Sequence, residues 1–116
     1  MRDYKKLDVW QRSYKLGLTI YSVTKTFPRE EMYGLTSQLR RASISIPLNI
    51  AEGSRRSTDK DYKSFLHNAY GSNAEVEVQI MYAKDLGYIS NETCIYLLEE
   101  ISQISRMLNS FIKTLS

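Results

Sequence analysis

At 116 residues, with 42% hydrophobic and 25% charged residues, the chain has the make-up of one soluble globular domain (1–116) and is too short for two cores. No apolar run nears the roughly 18 residues of a membrane span. The opening MRDYKKLDVW lacks a signal peptide's apolar core, and the lone Cys94 excludes an internal disulfide framework, so the expectation is a cytoplasmic protein without a membrane role. The net charge of +3 divides into +5 over 1–41, +1 over 42–74 and −3 over 75–116. That asymmetry suits a polyanion-binding face or complementary surfaces between subunits, and also a solvated surface with no such role.

Helix one is predicted over about Leu7 to Thr26. Leu7, Trp10, Tyr14, Gly17, Tyr21 and Thr24 recur at the spacing of one helical face, and Phe27-Pro28 stops it. Helix two is predicted from near Glu30 to Gly53, with Glu30 and Glu31 in its first turn and Gly53 as C-terminal cap. Leu35, Leu39, Ala42, Ile46, Ile50 and Gly53 form its apolar face, widened by Ile44, Leu48 and Ala51. Arg41, Ser45, Asn49, Glu52 and Arg56 form a polar row. Pro47 cannot donate to the Ser43 carbonyl and its ring crowds that turn, so a kink or local unwinding is expected there.

Ser54 to Lys60 reads as a polar, basic loop. Ser57 or Thr58 can cap helix three, with Asp61 three residues after Thr58 as in a capping box. Helix three is predicted over about Asp59 to Leu86, interrupted midway by Gly71-Ser72 and closed by Gly87. Ser90 caps helix four, whose stripe is Ile101, Ile104, Leu108, Phe111 and Leu115, thickened by Cys94, Leu97, Leu98 and Ile112. No stretch alternates with period two for long. The fold expected is all-α: an antiparallel up-down-up-down four-helix bundle, its second helix kinked at Pro47. Nine tyrosines are too many for so slender a core, and with the wide face of helix two they argue for self-association.

Enzymatic chemistry finds little support. His67 is the only histidine and no Glu lies three residues before it, so the paired Glu-x-x-His sites of di-metal bundles are missing. Glu75 and Glu77 point apart on a helix. Cys94 sits on an apolar stripe, which suits a buried cysteine better than a nucleophile. No glycine-rich phosphate loop is present. The expectation is no catalytic residue, no metal and no cofactor.

The basic positions are the candidates. Arg40 and Arg41 lie roughly 22 Å along a helix from Arg55 and Arg56, at 1.5 Å per residue, and Lys60 and Lys63 follow. Such a track can neutralise the phosphates of RNA or DNA without reading sequence. Alternatively Glu52 pairs with Arg56, and Arg41 with Glu75 or Glu77.

Around these residues stand Val9-Trp10-Gln11, Phe27-Pro28, Tyr33-Gly34-Leu35 and Gln38-Leu39-Arg40-Arg41-Ala42. Ser45-Ile46-Pro47, Asn49-Ile50-Ala51-Glu52-Gly53, Gly71-Ser72 with Glu75 and Glu77, and Gly87-Tyr88 continue the series. Together they resemble the bacterial four-helix-bundle proteins encoded within 23S ribosomal RNA intervening sequences, also labelled S23. The resemblance covers nearly the whole chain. It implies an all-helical bundle with no established enzymatic activity. For the related accessory protein of diversity-generating retroelements it implies a barrel-shaped homopentamer that binds nucleic acid and a reverse transcriptase. Tyr70 stands where a basic residue is expected in many relatives.

The function expected is therefore a non-enzymatic homo-oligomer, pentameric by the resemblance, that binds RNA or DNA through basic faces. Arg40, Arg41, Arg55, Arg56, Lys60 and Lys63 contact phosphates. Ser45, Asn49, Glu52, Gly71, Ser72, Glu75 and Glu77 hold helices two and three together around Pro47. The alternative is a protein-interaction scaffold with a protein partner and no nucleic acid.

Overall fold

Three of the expected helix ends are fixed by the residues expected to fix them. The Thr58 hydroxyl accepts from the Asp61 N–H at 3.1 Å, and the Ser90 hydroxyl accepts from the Thr93 N–H at 3.1 Å. Gly87 adopts φ +82°, a left-handed turn open to glycine, and Tyr88 N–H then closes on the Ala83 carbonyl at 2.8 Å. The structure, a computed structural model, describes residues 3–115. Its helices are α1 (Asp8–Thr24), α2 (Leu35–Ser54), α3 (Asp59–Asp85) and α4 (Asn91–Thr114), with single 3-10 turns at Tyr4–Lys6 and Arg29–Glu31.

Contacts between successive helices pair rising with falling residue numbers. Gly17 meets Ile44 and Thr24 meets Arg40; Tyr62 meets Phe111 and Asn73 meets Ile101. The four helices are thus antiparallel in sequence order, and α4 returns to pack on α1. The core is the set of inward stripes: Leu16 and Ile20 from α1, Leu39, Ile46 and Ile50 from α2, Leu66, Val76 and Ile80 from α3, Leu97, Ile104 and Leu108 from α4. Cys94 is buried among them. Among the described residues no helix is long and apolar enough to cross a membrane.

Four expectations are corrected. Helix two does not begin near Glu30 but at Leu35. Arg29–Glu31 forms a separate 3-10 turn, and the Glu31 carboxylate accepts from the Leu35 N–H at 3.1 Å, acting as the cap from outside the helix. Gly53 is not a cap: the helix runs on to Ser54, and Gly53 is where α2 approaches α3. α3 is continuous through Gly71 and Ser72, because one glycine removes about 1 kcal/mol of propensity from a long helix that packing holds along its length. Of the kink or local unwinding expected at Pro47, the unwinding does not occur, since α2 runs through it unbroken. Side chains lace the turns around it: Ser43 Oγ donates to the Arg40 carbonyl at 3.0 Å, Ser45 Oγ to Ala42 at 2.8 Å, and Asn49 Nδ2 to Ser45 at 2.8 Å.

The fourth correction concerns the motif residues. Among the described residues Ser45, Asn49, Glu52, Gly71, Ser72, Glu75 and Glu77 form no hydrogen bond or ion pair between α2 and α3. Ser45 and Asn49 serve α2 itself, Glu52, Gly71, Glu75 and Glu77 are exposed, and Ser72 is half-buried. Among the described residues, close steric fit at Gly53 against Tyr62 and Phe65 marks the contact between these helices.

At the far end of the bundle Tyr88 Oη donates to Glu31 at 2.8 Å. The Leu35 N–H first, then this hydroxyl, hold the Glu31 carboxyl below its ordinary pKa of 4.5, and the same bond raises Tyr88. A carboxyl lowered in the folded state stabilises fold above its unfolded pKa, and that contribution is lost as pH falls through the folded value. Glu31→Gln is therefore expected to lose less melting temperature than the parent between about pH 5 and pH 3. Parallel falls in the two proteins would contradict this.

Candidate nucleic-acid interface

The six basic residues separate by environment. Arg40 and Arg41 are neighbours in sequence, but about 100° apart around α2. Arg40 turns onto α1: its Nε donates to Thr24 Oγ1 at 2.8 Å, Nη2 donates to the Tyr21 carbonyl at 3.4 Å, and the guanidinium lies 4.6 Å from the Tyr21 ring centre. A cation over the last carbonyls of α1 is favourable at a helix C-terminus. Arg40 is thus a staple between α1 and α2, and is removed from the phosphate-contacting set. Arg41 points to solvent and has no ion pair among the described residues, so the proposed pairing with Glu75 or Glu77 is not made.

Arg55, Arg56, Lys60 and Lys63 surround the short turn between α2 and α3. The Arg55 guanidinium lies 5.6 Å from the Tyr4 ring centre, and Arg56 lies 4.6 Å from that of Phe65. Aromatic faces under both cations hold the planar groups partly in place. Glu52 approaches Arg56 only at 3.9 Å, both side chains being well exposed, so this pair contributes little.

The contact between Tyr4 and Arg55 also brings the 3-10 turn of Tyr4–Lys6 to the end of α2, adding the exposed Lys5 and Lys6. Lys113, in the last turn of α4, arrives at the same end by the antiparallel path. The sequence reading missed these three because they are about fifty residues from Arg55. The usable signal was topological: in such a bundle the start of the first helix and the end of the second share one end.

Acidic residues are interleaved there. Asp59 and Asp61 lie in the first turn of α3, where they complement the helix's own positive end, while Asp3, Asp8 and Glu52 flank the turn. Among the described residues this end therefore carries seven cations and five carboxylates. Among the described residues no group of His, Cys, Asp and Glu could hold a metal ion, and His67 is exposed.

A second surface adjoins this end, since Tyr4 beneath Arg55 also lines it. Tyr14, Leu18 and Tyr21 of α1 and Leu48 of α2 leave large apolar areas in solvent along a groove of about 420 Å³, also lined by Trp10, Gly17, Ile44 and Pro47. On α3, Tyr70, Ala74, Val78 and Met81 form an exposed stripe at helical spacing. Of the tyrosines too numerous for the core, Tyr62 is buried, Tyr4 and Tyr88 are half-buried, and Tyr33, Tyr82 and Tyr96 are exposed.

The family model described as 23S rRNA-intervening sequence protein matches residues 5–110. A crystal structure of a protein of unknown function from the S23 ribosomal protein family of Bacteroides thetaiotaomicron superimposes with a TM-score of 0.83. That match covers 90% of this chain and 95% of the other at 22% identity, a likeness of fold. No curated protein matches the chain.

Proposed function

Since the chain belongs to the 23S rRNA-intervening sequence protein family, we propose that it is a self-associating helical bundle that binds the phosphate backbone of RNA or DNA. The observation that carries this reading is the gathering of Lys5, Lys6, Arg55, Arg56, Lys60, Lys63 and Lys113 at one end, two of the arginines being seated on aromatic rings. Cations placed in this way contact phosphates and read no base edges. Arg41 extends the track along α2 once copies assemble, and a ring of five is the assembly that the proposal adopts. The proposal includes no catalysis.

The test is binding to a labelled structured RNA and to duplex DNA across a salt series. Affinity is expected to weaken log-linearly with salt. For duplex DNA the slope should fall by about 2 in Arg55→Ala/Arg56→Ala, at about 0.9 per phosphate neutralised. Arg40→Ala is expected to lower the melting temperature and leave that slope in place. No binding at low salt would overturn the reading. The apolar groove would then favour a protein-interaction scaffold, whose binding resists salt.

A further inference from the structure

We propose that the α1–α2 groove takes the unpaired bases of single-stranded nucleic acid, stacked on the aromatic row of α1 while the phosphates follow cations at both ends of the groove. This rests on the phosphate-binding half of the proposed function and names the form of nucleic acid that the chain selects.

The pattern starts in the sequence. Tyr14 and Tyr21 follow Trp10 by four and eleven residues, so α1 turns one aromatic row into the groove, and Lys25 continues it one turn on. On the facing helix Arg41, Ile44, Leu48, Ala51 and Arg55 are spaced by three and four, an apolar row with an arginine at each end. The rings already touch one another. Trp10 is stacked on Tyr14 with 5.1 Å between centres and 27° between planes, and Tyr4 meets Trp10 edge-on at 5.2 Å. Tyr14 and Tyr21 are 51% and 40% exposed, which leaves ring surface in solvent.

The charges select the occupant. Among the described residues no carboxylate lines the groove. Arg55, seated on Tyr4, stands at one end, with Lys5 and Lys6 next to Tyr4 in sequence. Arg40, seated on Tyr21, stands at the other, with Lys25 and Arg41. Exposed rings between cations suit a single strand: every base has a face to stack, and every phosphate a charge to neutralise. A duplex cannot use the row, because its bases are stacked on one another and show only their edges.

The dimensions agree with a short strand. Arg41 and Arg55 are about 21 Å apart along α2 at 1.5 Å per residue. That is about six steps of a stacked strand at 3.4 Å each, a length that one small domain can hold. Tyr4 belongs both to the groove and to the basic end, so a strand leaving the groove there reaches the cations around the α2–α3 turn.

Trp10 is the only tryptophan, so its fluorescence reports on the row alone. The experiment titrates the full chain, at one low salt concentration, with an oligothymidylate of about twelve nucleotides and with a duplex of the same length. Trp10 emission is expected to be quenched by the single strand and unchanged by the duplex. Tyr14→Leu keeps an apolar side chain and removes the ring. It should weaken single-strand binding about tenfold and leave duplex binding in place, while Tyr14→Phe keeps the parent affinity for both. Circular dichroism checks the fold and light scattering the molar mass. Should Tyr14→Leu unfold, Leu48→Glu takes its place, setting a negative charge across the groove from the row.

Single-strand binding by Tyr14→Leu at the parent affinity overturns the inference. So does binding of both probes without quenching, which leaves phosphate binding standing. A Tyr14→Leu protein that changes molar mass and keeps its affinity also overturns it, by assigning the groove to contact between subunits. Binding of neither probe by the parent overturns the inference together with the phosphate reading.

Discussion

Tyr62→Ala is expected to destabilise the bundle by about 4 kcal/mol, within the range for deleting a buried aromatic ring. Tyr62 is 1% exposed, its ring packs edge-on against Phe111 of α4 at 5.4 Å between centres, and it lies under Gly53 of α2. One side chain therefore fills the junction of three helices, and its loss leaves a cavity that rigid helices cannot close. For a chain of this length the melting temperature should fall by about 16 °C, at about 4 °C per kcal/mol. Thermal unfolding decides it: a fall of only a few degrees would mean that the junction collapses around the gap.

Gly53→Ala is the matching experiment on the other side of the same contact. A methyl group there would come within 2.8 Å of Phe65 Cβ and 2.8 Å of Tyr62 Cδ1. Phe65 Cβ is fixed to the α3 backbone, so the helices must separate. Overpacking of this kind costs about 3 kcal/mol. Alanine returns about 1 kcal/mol of helix propensity. The net expectation is a loss of about 2 kcal/mol, or about 8 °C. Gly71→Ala supplies the contrast. Gly71 is exposed in the interior of α3 with nothing within 4 Å of an added methyl, so only the propensity gain of about 1 kcal/mol applies. A Gly53→Ala protein that melts with the Gly71→Ala protein would overturn the steric account. In Gly53→Ala/Tyr62→Ala the losses should add to less than their sum, because one of the two close approaches is gone.

These glycines show how far the residues could be read alone. Apolar periodicity, Thr58, Gly87 and Ser90 were enough for four helices, because each is a local signal acting within a few residues. Gly53 was misread because a helix cap and a tight crossing both ask for the absence of Cβ, and only the neighbouring helix tells them apart. Gly71 was read as a break, although a helix held by packing tolerates a lone glycine. In the candidate interface, Arg55, Arg56, Lys60 and Lys63 were legible as a cluster because they are adjacent in the chain. Arg40 was not separable from Arg41, since its role depends on Thr24 and Tyr21 across the α1–α2 seam. Lys5, Lys6 and Lys113 joined the cluster only through the fold.

The order in which the helices touch also bears on how quickly the chain finds its structure. Three of the four helix seams join neighbours across short links, and the α2–α3 seam is the most extensive. Each can form after closing only a small loop, which places the chain among topologies that fold in microseconds to milliseconds. The α1–α4 seam alone joins the two ends of the sequence, and its ion pair, Arg12 with Glu100 at 3.1 Å, is exposed and weak. The α2–α3 hairpin is thus the natural nucleus, and the docking of α1 against α4 is the last step in and the first step out.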